Sequence, residues 1–224
     1  WFRDCVAHNQ YDGFWRRLNV REQDYTAAYP VLLTGGWYDA YAAETVDNFS
    51  FLLAHSATPE LAGKHRMVIG PWSHGIHGKS VLGELDFGAE ANREDDHSER
   101  WLVEMLTDGI PERVLPSPVR IFVMGINRWR DEAEWPPART QYIELHLRCD
   151  GGLGSAPEKI AEACDEYNYD PVDPVPTHGG NHSIGAYNPG LYDFVKPGPF
   201  DQRQIEKRRS EEHTSELQSR LHLV

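Results

Sequence analysis

The sequence is 224 residues long, 40% hydrophobic and 25% charged, with a formal net charge of −13 at pH 7. Such a chain holds enough apolar material for one large domain or parts of two. Its acidity disfavours the phosphate-tracking surfaces that nucleic acid or an anionic membrane demands, so neither is expected as a partner, and no apolar run approaches the roughly 20 residues that span a bilayer.

In chain order, the stretch "DGFWRRLNVREQ" is mostly polar and helical or loop-like. "YPVLLTGG" then gives a short apolar run, Val31 to Thr34, bounded by Pro and Gly, which predicts a buried strand. Beyond Asp39, the apolar positions Ala42, Val46, Phe49 and Leu53 follow helical spacing, one face of an amphipathic helix. "HRMVIGPW" supplies a second buried strand, Met67 to Ile69, stopped by Gly70 and Pro71. Strand, helix, strand in this span is a βαβ unit, and hence a parallel pair in an α/β sheet. From Asn92 to Thr107 the pattern is helical again, with Trp101, Leu102, Met105 and Leu106 as the apolar stripe.

The character then changes. "PVRIFVMG" and "QYIELHLR" alternate like strands, and "YDPVDPVPTHGGN" is dense in Pro and Gly. A second domain, a β-sandwich, is therefore expected to begin near Pro116. The final segment contains "RSEEHTSELQS", which reads as one frame of a common sequencing-library adaptor, the alternative being an ordinary charged helix. The expected division is 1–115 for the α/β part, 116–208 for the β-sandwich and 209–224 for an adaptor artefact set aside from fold reasoning.

Two residues occupy equivalent places in the βαβ unit. Asp39 follows the first strand and His74 follows the second, in "VIGPWSHG". Ligands of open parallel sheets gather at the carboxyl ends of strands, and an Asp and a His on neighbouring ends can come within hydrogen-bond reach. There the carboxylate would fix the imidazole tautomer and steady the imidazolium while the other ring nitrogen serves a nucleophile. Taken singly, the Asp is equally an N-cap or turn former and the His a loop or core histidine. Trp37 and Tyr38, beside the acid, either wall a substrate site or pack aromatic area over the sheet edge.

An acid-then-His order is what a Ser-Asp-His triad leaves at its C-terminal end, so the serine should precede Asp39. No serine occurs before Ser50. Ser80 in "GKSVLG" lacks a feeding strand, Ser183 in "NHSIG" lies in the Pro/Gly region, and Ser73 adjoins His74 too closely to share its reacting atom. His74 and His77 have the spacing of a metal pair but lie among Gly75 and Gly78, with no rigid element to present them and no third ligand, so no metal is expected. The three scattered cysteines, Cys5, Cys149 and Cys164, read as reduced thiols, which fits a cytoplasmic setting without fixing the compartment.

Together, "PVLLTGGWYDAY", "MVIGPWSHG", "GELDFG", "RWLVEML", "VRIFVMGINRWRDEAEWPPA" and "YNYDPVDPVPTHGGN" resemble the cocaine-esterase / X-Pro dipeptidyl-peptidase family of serine hydrolases. The resemblance runs from about Tyr11 to Arg208. It implies an α/β fold, the C-terminal part of an α/β-hydrolase domain followed by an incomplete jelly-roll β-sandwich, with "YDGFW" at the end of a helical cap. It also implies Asp39 as triad acid, His74 as general base, Trp37 and Tyr38 near the substrate, and no cofactor. The substrate would be a small-molecule ester or a peptide, and the whole protein leaves room for a homo-oligomer. On this reading the chain is a fragment that lacks the nucleophile serine and is inactive alone. A non-catalytic β-sandwich binding protein and a degenerate hydrolase are the competing readings.

Overall fold

The computed structural model describes residues 1–23, 25–75, 78–92, 97–148, 152–157, 170–181 and 196–207. Two short helices, α1 (Phe2–Ala7) and α2 (Gly13–Arg16), lead to strand β1 (Leu32–Tyr38), helix α3 (Ala42–Ala54), the single turn α4 (Pro59–Ala62) and strand β2 (Arg66–Ser73). β1 and β2 pair in parallel, from Leu32 opposite Arg66 to Gly36 opposite Gly70. The expected βαβ unit is therefore present.

Both strands are longer than their apolar runs. β1 continues through Gly35 and Gly36, and β2 continues through Gly70 and Pro71. The register explains the proline. Between Gly36–Gly70 and Tyr38–Ser73 the pairing shifts, with one extra residue on β2. On the other side, β2 loses its second partner after Ile69. Pro71 thus sits at a bulge where its missing N–H breaks no ladder bond.

A two-residue hairpin, β3 (Val81–Leu82) and β4 (Leu85–Asp86), follows β2, and helix α5 (His97–Thr107) comes next. Strand β5 (Val119–Val123) then pairs in parallel with β2, and β6 (Arg128–Glu132) returns antiparallel to β5. The sheet order is β1-β2-β5-β6, so one sheet holds strands from both sides of position 116. Local alternation announces β5 as a strand but says nothing of which strand it will pair with. A last described pair, β7 (His146–Leu147) with β8 (Leu153–Gly154), covers only two residues of "QYIELHLR"; Tyr142 and Ile143 are exposed and unpaired in any strand. Residues 209–224, expected to be the adaptor text, lie outside the described residues.

The buried faces of the sheet follow strand alternation. Met67 and Ile69 point to one side, with Phe49 of α3, Val119 and Ile121. Val68 points to the other, with Trp101 of α5 and Leu115. A strand covered on both faces reads as a continuous apolar run, as "MVI" does. The expected stripe on α5 is half right. Trp101 and Met105 pack against the sheet, whereas Leu102 and Leu106 are exposed, because one residue of a helix turns through about 100° and carries them off the covered face.

His65, fully buried just before β2, ties the N-terminal edge of the unit together. The Val31 N–H donates to His65 Nδ1 (3.0 Å), and the Ser56 hydroxyl donates to the Leu52 carbonyl (2.7 Å). Ser56 Oγ, 2.8 Å from Nε2, is then the acceptor of the Nε2 proton, and the ring is neutral. Burial, with the Arg66 charge adding to it, pushes the His65 pKa below its ordinary value. A depressed folded-state value means that the unfolded chain takes up the proton first, so this contribution is intact above about pH 6.5 and is lost as pH falls. The denaturant midpoint should drop between pH 7 and pH 5 in the native protein and change less in a His65→Gln variant; an equal drop in both would exclude His65 as the source.

Candidate active site

The bulge determines where the two strand ends lead. A Cβ on Gly36 would overlap the Trp72 carbonyl, and one on Gly70 would overlap the Trp72 ring. Both glycines are required by close approach and lie within the strands, contrary to the expectation that Gly bounds the first apolar run and that Gly70 and Pro71 stop the second. With the extra residue absorbed, β1 delivers Asp39 and β2 delivers His74 to the same end of the sheet.

Asp39 opens the turn into α3. Its N–H donates to the Gly36 carbonyl (3.0 Å), its carbonyl accepts from Ala42 N–H (3.1 Å), and its Oδ1 accepts from Tyr41 N–H (2.9 Å). This is the local turn role expected of an aspartate at that place. It leaves the side chain 8% exposed yet aimed at His74, whose Nδ1 lies 3.2 Å from Oδ1 and 3.1 Å from Oδ2. An ionised carboxylate only accepts, so Nδ1–H is the donor of this contact, and Nε2 is the ring nitrogen that Asp39 does not engage. The ring is about one quarter exposed, so the pair spans from core to surface.

Trp37 and Tyr38 lie on opposite faces of β1. The Trp37 indole N–H donates to the Phe122 carbonyl (2.8 Å), and its ring lies 6.2 Å from that of Trp135. Tyr38 packs toward Phe87, with ring centroids 6.3 Å apart, and burial raises its phenol pKa. Trp37 thus makes the packing contacts expected over the sheet edge. The sequence reading missed Tyr41. Besides the N–H given to Asp39, its half-exposed ring stands edge-on to His74 at 5.2 Å. An aromatic two residues after the acid was the available signal, since an Asx turn brings that residue back over the carboxylate.

Ser50 lies on α3 with its hydroxyl toward the Val46 carbonyl, Ser56 serves His65, and Ser73 is buried with no hydrogen-bond partner among the described residues. Ser183 and His77 lie outside the described residues. Among the described residues, no three His, Cys, Asp or Glu side chains gather to hold a metal, and no helix is long and apolar enough to cross a membrane.

Comparison with known proteins agrees with the earlier resemblance. Residues 1–76 match the family model for X-Pro dipeptidyl-peptidase (S15 family), and residues 114–224 match that for the X-Pro dipeptidyl-peptidase C-terminal non-catalytic domain. The cocaine esterase of Rhodococcus sp. (strain MB1 Bresler) is 32% identical over 222 residues, a match covering 93% of this chain and 36% of that protein. The crystal structure of an aminopeptidase from the marine sediment archaeon Thaumarchaeota archaeon is similar with a TM-score of 0.64 and 29% identity, over 78% of this chain and 29% of that one. The chain thus spans about a third of the length of its relatives. It belongs to the X-Pro dipeptidyl-peptidase (S15) and cocaine-esterase family of hydrolases.

Proposed function

We propose that this chain carries the acid and base of a Ser-His-Asp triad, Asp39 and His74, in a hydrolase of small esters or short peptides. The observation that carries the reading is the contact of His74 Nδ1 with both Asp39 carboxylate oxygens at neighbouring parallel strand ends. His74 Nε2 takes the proton of a serine hydroxyl as its oxygen adds to the carbonyl carbon. The same proton passes to the leaving alkoxide or amine, and water repeats the cycle to release the acid. Asp39 stays ionised and holds the ring.

No serine of this sequence follows an apolar strand upstream of Asp39, so the nucleophile belongs to a part of the whole protein outside these 224 residues. The region after β6 would form the jelly roll of the family pattern, and Tyr38 and Tyr41 would border the substrate. The 224-residue piece alone should be inactive: losing oxyanion donors costs roughly 2.7–4 kcal/mol of transition-state stabilisation each, apart from the missing nucleophile.

The test is hydrolysis of an aryl ester and of an X-Pro anilide by the whole protein and by the 224-residue piece. Turnover of at least one by the whole protein and none by the piece is expected. Turnover of neither by the whole protein, or equal turnover by the piece, would overturn the reading. Which of the two is cleaved decides the substrate class.

A further inference from the structure

Residues 78–92, which follow His74 in the chain, are held at two points by residues far along the chain. At its end, the turn Ala89–Ala91 offers two carbonyls to two indoles: Trp129 N–H donates to the Glu90 carbonyl (2.7 Å) and Trp72 N–H to the Ala91 carbonyl (3.1 Å). Those indoles lie against each other with centroids 5.7 Å apart, and Trp129 rests in turn on Phe122 at 5.3 Å. Phe87, between hairpin and turn, meets Phe122 edge-on at 6.2 Å. At the tip of the β3–β4 hairpin, Glu84 N–H donates to the Pro199 carbonyl (2.9 Å), and Asp201 N–H donates to Glu84 Oε2 (3.0 Å). The approach is so close that a Cβ on Gly83 would overlap the Pro199 carbonyl.

Trp129, Phe122, Pro199 and Asp201 all lie in the region matched to the non-catalytic domain. Trp72 lies two residues before His74, on the strand that presents it. We infer that the C-terminal region is a positioning element for His74, clamping the segment after it through Trp129 at one end and through Pro199 and Asp201 at the other. This inference rests on the proposed acid–base role of His74. Neither clamp residue touches the reacting atoms; each acts through the loop. A base displaced by a fraction of an ångström loses rate without losing substrate affinity, because near-attack geometry enters the chemical step and not the ground-state complex.

The experiment uses the whole protein and whichever of the aryl ester and X-Pro anilide it cleaves, with variants Trp129→Phe, Glu84→Ala, Trp101→Phe and His74→Ala. Trp129→Phe keeps a ring but loses the N–H; Glu84→Ala removes the acceptor for Asp201. Trp101 is buried in the α5 cluster, and its indole N–H has no hydrogen-bond partner among the described residues, so Trp101→Phe reports loss of packing. Expected are a kcat lower by about tenfold for Trp129→Phe with KM within about twofold, a smaller fall of the same kind for Glu84→Ala, and native kcat for Trp101→Phe. Amide exchange over residues 87–92 should quicken in Trp129→Phe and not in Trp101→Phe. Native kcat in both clamp variants, or equal kcat losses in Trp129→Phe and Trp101→Phe, would overturn the inference. If Trp129→Phe fails to fold, Glu84→Ala decides by the same kcat criterion. Full activity in His74→Ala is a different failure, that of the acid–base reading itself.

Discussion

Replacing Asp39 by Asn in the whole protein is expected to lower kcat by about 10⁴ with little change in KM, the loss that Asn at the acid position causes in other triads. The geometry gives the cause. The carboxylate accepts the Nδ1 proton of His74 and the Tyr41 N–H, and it is nearly buried. An amide in its place still accepts from Tyr41, so the turn into α3 survives. Toward His74, however, it can present an NH₂ group, which requires Nδ1 to accept and moves the ring proton to Nε2. The base then holds its proton on the wrong nitrogen. His74→Ala removes the base altogether, and a loss on the order of 10⁶ is expected. Native kcat in Asp39→Asn would show that the pair is structural and leave a binding role for the chain.

The largest effect on stability should come from Arg66→Met. Arg66 opens β2 and is almost wholly buried, an unexpected place for a guanidinium. Its Nε donates to the Leu115 carbonyl (2.9 Å), and Nη1 donates to the carbonyls of Gly63 (2.7 Å) and His65 (2.8 Å). Nη2 reaches Glu112, whose side chain is half exposed, at 2.7 Å. The residue thus joins the turn before β2 to the segment that leads into β5. Methionine has similar length but donates nothing, leaving three backbone acceptors short of a donor. At about 1–3 kcal/mol for each buried unsatisfied group, and with the Gly63 carbonyl only partly buried, a loss of about 3 kcal/mol or more is expected in denaturant titration. Lysine should recover only part of it, because its point charge cannot spread over three carbonyls and a carboxylate. A loss below about 1 kcal/mol would mean that water takes over these acceptors.

How much of this was legible in the sequence depended on range. The βαβ unit could be read because its signals are local: apolar runs between Pro and Gly, then 3.6-residue spacing from Ala42 to Leu53. Asp39 and His74 could be paired because equivalent places in such a unit bring strand ends together. The glycines of "TGGWYD" misled, since the reason for Gly36 is the backbone of Trp72 on another strand, which nothing near Gly36 reveals. The same limit applies to β5. "VRIFV" announces a strand, but its parallel pairing with β2 is a contact across about 50 residues. On α5, the apolar pattern did not disclose which part of the stripe the sheet would cover. Tyr41 and Trp129 were overlooked for a related reason. Each acts partly through a backbone group, a donor in one case and an acceptor partner in the other, and backbone groups leave no mark in a residue pattern.

The central claim, that Asp39 and His74 serve a serine nucleophile, is tested most directly by treating the whole protein with a fluorophosphonate and mapping the labelled residue. The account predicts one labelled serine outside these 224 residues, with labelling slowed by orders of magnitude in both Asp39→Asn and His74→Ala. No labelled serine, a labelled serine within this chain, or native labelling rates in His74→Ala would contradict it.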